Sequence, residues 1–257
     1  MMFILTIFLI GFIGSFISGM VGIGGAIINF PLLLYVPAIL GVAQFSSYEV
    51  SGITAIQVLF ATIGGVWAYR KGGYLNKVII GYMGISILIG SFIGALLSSH
   101  MPEGAINIVY GLLALIAAAM MLIPKKDVDN SQFRIGNFNR WLAAALALLV
   151  GVGAGIVGAG GAFILVPIML LILKVPTRMT IASSLAITFI SSIGATTGKI
   201  LSGQILYIPA AIMIVASLIA SPLGANIGKK INTKMLQWIL AILILGTAVK
   251  VWLDILT

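Results

Sequence analysis

Apolar runs recur along the whole chain at about the length of a membrane crossing. Cutting the sequence at charges and at proline or glycine clusters leaves about ten segments, at residues 2–18, 26–40, 50–69, 78–98, 104–123, 141–157, 162–173, 180–198, 207–228 and 235–253. A hydrocarbon core about 30 Å thick needs roughly 20 apolar residues in one helix. The pattern therefore predicts an all-α polytopic membrane protein, with the N-terminal run as its first membrane segment rather than a cleaved leader.

Composition supports this class and removes several others. Hydrophobic residues make up 61% of the 257 and charged residues only 7%, a balance too apolar for the surface of a soluble domain. The basic residues that give the net charge of +9 lie between the apolar runs, where they set the membrane orientation. Nucleic acid is therefore not an expected partner. With no cysteine and one histidine, we expect no metal site, no cofactor and no enzyme chemistry.

The two halves of the chain resemble each other. Residues 19–31 read GMVGIGGAIINFP and residues 155–167 read GIVGAGGAFILVP, at a constant offset of 136. Further along, the SFIGA of residues 91–95 matches the SPLGA of residues 221–225 at an offset of 130. A polar stretch separates the halves, which predicts a first transmembrane repeat at 1–124, a cytoplasmic linker at 125–140 and a second repeat at 141–257.

Charge predicts how the repeats are oriented. Basic residues follow the third segment at 70–77, whereas the equivalent connection at 201–207 has none. The connection after the fourth segment has no Lys or Arg, whereas its counterpart at 229–234 has three lysines. Because basic loops stay cytoplasmic, the repeats are expected to have inverted topology, with twelve of the fourteen Lys and Arg on one side and both termini outside.

Each glycine motif interrupts an apolar run and precedes a short segment that contains proline. Glycine permits positive φ, and unwound backbone inside a membrane is tolerated where it is buried or lines a wet cavity. A half-helix that begins there would direct free N–H groups and a positive dipole end at the midplane, which favours an anion. The candidate binding residues are Gly22, Gly24, Gly25, Gly158, Gly160 and Gly161. The alternative is that these glycines serve close helix packing.

Polar side chains beside the motifs are further candidates for binding the anion. Hydroxyls line one face of segment 180–198, and the matching segment 50–69 also carries polar residues. The candidates are Ser183, Ser184, Thr188, Ser51, Gln57, Asn29 and Lys199. Hydroxyls in membrane helices often bond only to their own backbone, and a lysine near a segment end can simply extend to the headgroups. No Asp or Glu lies deep in a segment, so a carboxylate proton relay or sodium site is not expected.

These motifs resemble the sulfite exporter TauE/SafE family of prokaryotic membrane permeases. The resemblance rests on the twin glycine motifs, on the ASSL of residues 182–185 and on the GKILSG of residues 198–203, and it covers essentially the whole chain. It implies a multi-pass transporter of the inner membrane for small sulfur-containing or organic anions, with sulfite and sulfoacetate as the namesake substrates. The family's common Thr-Ser-Leu is Ser-Ser-Leu here, at residues 183–185.

We therefore expect export of sulfite or of an organosulfonate or other organic oxyanion by alternating access, with the small anion and the lipid bilayer as partners. The alternatives are a ten-segment drug or metabolite exporter for another solute, an integral-membrane enzyme acting on lipid, and a membrane scaffold without flux. An exporter of cations would need deep carboxylates or an aromatic cavity, whereas the four tryptophans lie near segment ends. A lipid enzyme would need paired carboxylates or a histidine cluster. The sequence predicts no oligomeric state.

Overall fold

All regular structure in the described part of the chain is helical. The structure is a computed structural model that describes residues 1–70, 73–123 and 139–256. Its helices are α1 (Met2–Val21), α2 (Ala26–Ile39), α3 (Ser47–Tyr69), α4 (Lys77–Ser98), α5 (Glu103–Leu122), α6 (Arg140–Val157), α7 (Ala162–Leu171), α8 (Thr177–Leu201), α9 (Tyr207–Gly228) and α10 (Thr233–Leu256). Of the predicted linker, all but residues 139 and 140 lies outside the described residues.

Seven of these helices are long and apolar enough to cross a membrane, namely α1, α3, α4, α5, α6, α8 and α9. The chain is therefore a multi-pass membrane protein. By contrast, α2 has 14 residues and α7 has 10. At about 1.5 Å per residue they rise only about 21 Å and about 15 Å, less than the hydrocarbon thickness. A short helix thus follows each glycine motif, as the sequence predicts.

The glycine motifs adopt the same backbone conformation in both halves. We call residues 22–25 the first break and residues 158–161 the second break. In the first, Gly22, Gly24 and Gly25 have φ of 81°, 79° and 77°; in the second, Gly158, Gly160 and Gly161 have φ of 74°, 64° and 79°. This left-handed region is unfavourable for residues with a Cβ atom. The glycines end α1 and α6 and begin α2 and α7.

The halves interlock through glycines that meet the backbone of the other half. A Cβ atom at Gly19 of α1 would lie 2.1 Å from the carbonyl oxygen of Ser221 in α9. At the equivalent place, a Cβ atom at Gly155 of α6 would lie 2.1 Å from the carbonyl oxygen of Ser91 in α4. At these two positions the glycines allow close helix packing. Helices α1 and α6 each pack against a helix of the opposite half, so neither half has a separate core.

Basic residues from separate connections gather at one end of the bundle. Arg178, at the start of α8, donates to the carbonyl oxygen of Lys229 at 3.0 Å, and the Lys229 ammonium bonds to the Ala68 carbonyl at the end of α3. Lys77 and Arg140 line one groove of about 570 Å³ between α4 and α6. This grouping matches the one basic side that the charge pattern predicts.

Candidate functional site

The two breaks meet between α3 and α8. A Cβ atom at Gly24 would lie 3.1 Å from Cγ2 of Thr188 and 3.6 Å from Cγ1 of Val58. At Gly160 it would lie 2.7 Å from both of those atoms. The same point at Gly24 is 3.5 Å from Cβ of Ala162, the first residue of α7. The N-terminal ends of α2 and α7 therefore come together beside Thr188, and we call this place the meeting point.

From the meeting point the two short helices run toward opposite ends of the bundle. α2 leads into the start of α3, where Ser51 approaches Gly158. α7 leads into the start of α8, where Ile181 approaches Gly22. The first N–H groups of a helix have no partner within it, and its N-terminus carries about half a positive charge. Two such ends meet here at buried positions, an arrangement that favours an anion.

Each break is anchored to the long helix of the other half. The Gly22 carbonyl accepts a hydrogen bond from Ser184 Oγ at 2.9 Å. A Cβ atom at Gly158 would lie 1.9 Å from the Ser51 carbonyl oxygen and 3.1 Å from Thr54 Oγ1. Ser51 and Thr54 correspond to Ile181 and Ser184 at the 130-residue offset. The two breaks thus approach corresponding positions of α8 and α3.

The predicted hydroxyls have different locations and partners. Ser183 lies at the basic end, where its Oγ accepts from the Asn76 backbone N–H at 3.1 Å. The single hydroxyl hydrogen of Ser184 is shared between Gly22 O and Ile181 O, at 2.9 Å and 3.0 Å. Thr188 lies at the meeting point, buried, and its Oγ1 has no hydrogen-bond partner among the described residues. Of the three, the structure brings only Thr188 to the meeting point.

Lys199 points into the protein and does not reach the headgroups. Its side chain is 0% exposed, so the reading in which it extends to the membrane surface is wrong. The ammonium nitrogen lies within hydrogen-bond distance of four oxygens, which share its three hydrogens: Ser51 Oγ at 2.8 Å, Ser98 Oγ at 2.7 Å, Ile156 O at 2.9 Å and Gln204 Oε1 at 2.7 Å. All four acceptors are neutral. Along α8, Lys199 is about 16 Å from Thr188, and it joins the ends of α3, α4, α6 and α8.

Asn29 and Gln57 lie beside the first break, and both are buried. The Asn29 amide fills the space that a side chain at Gly14 would need, since a Cβ atom there would be 1.8 Å from Oδ1. Gln57 donates from Nε2 to Ser15 Oγ at 2.7 Å. Sequence reasoning missed Ser15 and the nearby Ser18, although small and hydroxyl residues at helical spacing on α1 were a usable signal.

Comparison with known proteins identifies the family. A family model described as Sulfite exporter TauE/SafE matches residues 7–251. The chain belongs to this family. The resemblance to TauE/SafE proteins, first seen at the twin glycine motifs, is therefore confirmed, and the match covers nearly the whole chain.

TauE/SafE relatives from distant organisms cover this chain almost completely. The probable membrane transporter protein YunE of Bacillus subtilis is 24% identical and aligns with 95% of both chains. A probable membrane transporter protein of Methanocaldococcus jannaschii is 25% identical over 91% of this chain and 89% of its own. One from Haemophilus influenzae is 24% identical over 98% of each chain. No solved structure matches the chain. The family and its relatives make this protein a membrane transporter, with a small-molecule substrate implied.

Proposed function

We propose that this TauE/SafE transporter exports a small anion, sulfite or an organosulfonate or other organic oxyanion, through the meeting point of α2 and α7. The observation that carries the proposal is the approach of both half-helix N-termini to Thr188. Gly24 and Gly160, one in each break, have Thr188 as their shared neighbour. Backbone N–H groups and one unpartnered hydroxyl supply donors there without a fixed charge. Such donors solvate an anion without holding it as tightly as a lysine would.

Electrostatics favours an anion over a cation at this point. The side chains that surround it, those of Val58, Ala162 and Thr188, are all uncharged. Positive ends of half-helix dipoles repel cations, as they do in other membrane pores. A cation carrier would need deep carboxylates or a cluster of carbonyl oxygens at the same place. The carboxylates of Glu49 and Glu103 lie instead in the first turns of α3 and α5.

Two repeats of opposite topology, 1–124 and 141–257, would provide the moving parts. Support comes from the matched breaks, from the exchanged contacts of α1 and α6, and from the single basic end. If that end is cytoplasmic, both termini lie outside the inner membrane. Each half anchors the other's break, so a movement of one break together with the long helix that anchors it would open a path on one side of Thr188 while the other side stays closed.

Closed contacts on both sides of the meeting point fit such alternating access. The Lys199 cluster closes one end, through bonds to α3, α4 and α6. The bonds of Asn76 to Ser183 and of Arg178 to Lys229 close the other. We infer that each cluster must separate when its side opens. Lys199, the buried cation on the side expected to be outside, would then attract the departing anion.

The membrane potential can drive this export without a coupling ion. An anion that leaves a cell with a negative interior gains about 2.3 kcal/mol per charge for each 100 mV. At a membrane potential of about 150 mV, this free-energy gain corresponds to a concentration ratio of a few hundred for a monovalent anion. Electrogenic transport, driven by the membrane potential alone, is the simplest mechanism for an anion that passes between the N-termini of α2 and α7.

The experiment is uptake into proteoliposomes of a panel of sulfite, sulfoacetate, sulfate, thiosulfate and acetate. We expect saturable flux of at least one anion from the purified protein. Gly24→Val and Gly160→Val should abolish that flux while the protein still inserts, whereas Gly104→Val should not, since Gly104 has open space around it. Unchanged flux in both break variants would defeat the proposal, as would saturable flux of a neutral or cationic solute only.

A further inference from the structure

The two breaks share a backbone conformation but differ in what surrounds them. A Cβ atom at Gly25, where α2 begins, would lie 3.1 Å from Gly14 O, 3.2 Å from Ser18 Cβ and 3.1 Å from Gln57 Nε2. Together with Asn29, which packs against Gly14, these residues form what we call the first-break pocket. The pocket lies beside the N-terminus of α2 and is buried.

The equivalent place in the second half is apolar. A Cβ atom at Gly161, where α7 begins, would lie 3.0 Å from Val150 Cγ1, 3.1 Å from Ala154 Cβ and 3.3 Å from Ile87 Cδ1. At the offsets of 136 and 130 residues, the polar residues Ser15, Ser18, Asn29, Gln57 and Ser217 correspond to Gly151, Ala154, Leu165, Ile187 and Ile87. Each of these five polar side chains is therefore replaced by hydrogen or hydrocarbon in the second half.

A chain of hydrogen bonds connects Gln57 with Ser15 and Ser217. Gln57 Nε2 donates to Ser15 Oγ at 2.7 Å. The Ser15 hydrogen is then available for Ser217 Oγ, 2.8 Å away, while Ser217 donates to Met213 O at 2.7 Å. Because a hydroxyl carries a single hydrogen, the donors run from Gln57 through Ser15 to Ser217. The carbonyl oxygen of Gln57, Oε1, is left without a hydrogen-bond partner among the described residues.

Four buried polar atoms of the pocket have no partner among the described residues. They are Gln57 Oε1, both amide atoms of Asn29 and Ser18 Oγ. The three side chains are each 0% exposed. Buried polar groups are nearly always hydrogen-bonded, and several unpaired ones at one place indicate a site that something else completes. These four atoms include both donors and acceptors. Gln57 Oε1 can only accept, whereas the Asn29 amide has a donor nitrogen and an acceptor oxygen.

We propose that the first-break pocket, and not its apolar counterpart, binds the transported anion, and that it selects an oxyanion that keeps a hydrogen on oxygen. This inference rests on the proposed function and narrows its substrate. Ser18, the Asn29 amide nitrogen and the α2 N-terminus match the negative oxygens, whereas Gln57 Oε1 requires a donor hydrogen from the ligand. A fully deprotonated oxyanion leaves that oxygen unpaired in a dry site. The ligand enters when the halves separate, because in the closed arrangement Asn29 occupies the notch at Gly14.

Competition against sulfite uptake at pH 8 tests this inference, because sulfite is then mainly the deprotonated dianion and an anion that keeps an O–H group should displace it readily. Hydrogen phosphate and sulfate are tetrahedral dianions of similar size at that pH, but only phosphate retains an O–H group. We expect hydrogen phosphate to inhibit at a concentration about tenfold lower than sulfate, the ratio for one unpaired buried hydrogen-bonding group. If phosphate competes no better than sulfate, including the case in which neither competes, the inference is wrong.

Variants locate the selectivity. Gln57→Ile copies the residue of the second half and should reduce the preference for phosphate to less than about threefold. The preference is the ratio of two inhibitory concentrations in the same variant, so a lower sulfite flux in that variant does not affect it. Thr62→Val is the matched control on the same helix, because Thr62 Oγ1 already bonds to Val58 O at 2.7 Å, and it should keep the full preference.

The failures of the two proposals can be told apart. Absence of any saturable anion flux in the wild type would contradict the proposed function. Normal sulfite flux with an unchanged preference in Gln57→Ile would contradict only the assignment of the pocket. Sodium-dependent uptake that Gln57→Ile abolishes would also overturn it, in favour of a cation at the unpaired oxygens. The wild-type comparison of phosphate and sulfate stands even if the variant fails to insert.

Discussion

Gly160 and Thr188 are so close that a Cβ atom on Gly160 would lie 2.7 Å from the Thr188 methyl carbon, Cγ2. The same point is 2.7 Å from Val58 Cγ1, so a side chain at Gly160 would be squeezed between α3 and α8. The φ of 64° at this glycine adds a second reason for the absence of a Cβ atom. Backbone, and not a side chain, therefore faces Thr188 from the second break.

We expect Gly160→Ala to impair both stability and transport. Overpacking at this contact costs typically about 1–3 kcal/mol, and the left-handed φ adds about 1 kcal/mol. Gly24→Ala should be milder, because its Cβ atom would be 3.1 Å from Thr188 Cγ2. The measurements are the melting temperature in detergent and anion flux. Gly104→Ala is the control, since nothing lies within 4 Å of its Cβ position. If Gly160→Ala behaves like Gly104→Ala, the packing at the meeting point is wrong.

Replacing the hydroxyl at the meeting point should affect transport and leave the fold intact. Thr188→Val has nearly the same shape and removes an oxygen that has no hydrogen-bond partner in the part of the chain that the structure describes. We expect unchanged or slightly higher thermal stability, with anion flux reduced about tenfold or more through loss of one donor to the anion. Thr62→Val, which removes a hydroxyl already bonded within its own helix, should leave flux near the wild-type value. Equal flux in the two variants would show that Thr188 does not contact the anion.

Lys199 should be important for stability as well as for transport. Lys199→Met keeps an unbranched apolar side chain but leaves Ser51, Ser98, Gln204 and a carbonyl oxygen of α6 without their shared donor. We expect a loss of about 2–4 kcal/mol in unfolding free energy, by analogy with other buried charged hydrogen bonds. The melting temperature in detergent measures it. Lys230→Met changes an exposed lysine and should stay within about 0.5 kcal/mol. If Lys199→Met is as stable as Lys230→Met, the buried position of the Lys199 side chain is wrong.

The absence of native cysteine allows a direct test of orientation. Ser99→Cys lies after α4, away from the basic end, and Lys230→Cys lies at the basic end after α9; both positions are exposed. We expect a membrane-impermeant maleimide added to intact cells to label Ser99→Cys, and to label Lys230→Cys only after the membrane is permeabilised. The reverse labelling pattern would mean that the protein has the opposite orientation in the membrane. The proposed direction of export would then be unsupported.

Much of the fold was predictable because membrane segments obey simple length and composition rules. The short helices α2 and α7 were also predictable, since a glycine cluster before a proline-bearing run leaves too few residues for a crossing. The sequence did not predict which helices pack against each other. The spacing of Gly19 and Gly155 signals close approach but not which helix approaches, and the structure pairs each with a helix of the opposite half.

The candidate site was less predictable than the fold. Hydropathy places Lys199 near a segment end but does not show that it turns inward, because that depends on acceptors distant in sequence, such as Ser51 and Ser98. Ser183 and Thr188 share a segment and a residue class, yet one meets Asn76 and the other meets the breaks. The difference between Gln57 and its counterpart Ile187 is visible in the sequence, but its meaning requires knowing what packs on each break.

The central claim, passage of an anion between two half-helix N-termini, is tested most directly by flux under a clamped membrane potential. Proteoliposomes loaded with sulfite are set to either polarity with a potassium gradient and valinomycin, and efflux is compared between the wild type and Thr188→Val. We predict saturable wild-type efflux that is faster with a negative interior, slower with a positive one, and strongly reduced in Thr188→Val. Efflux that ignores the potential, or that Thr188→Val leaves unchanged, would contradict the account.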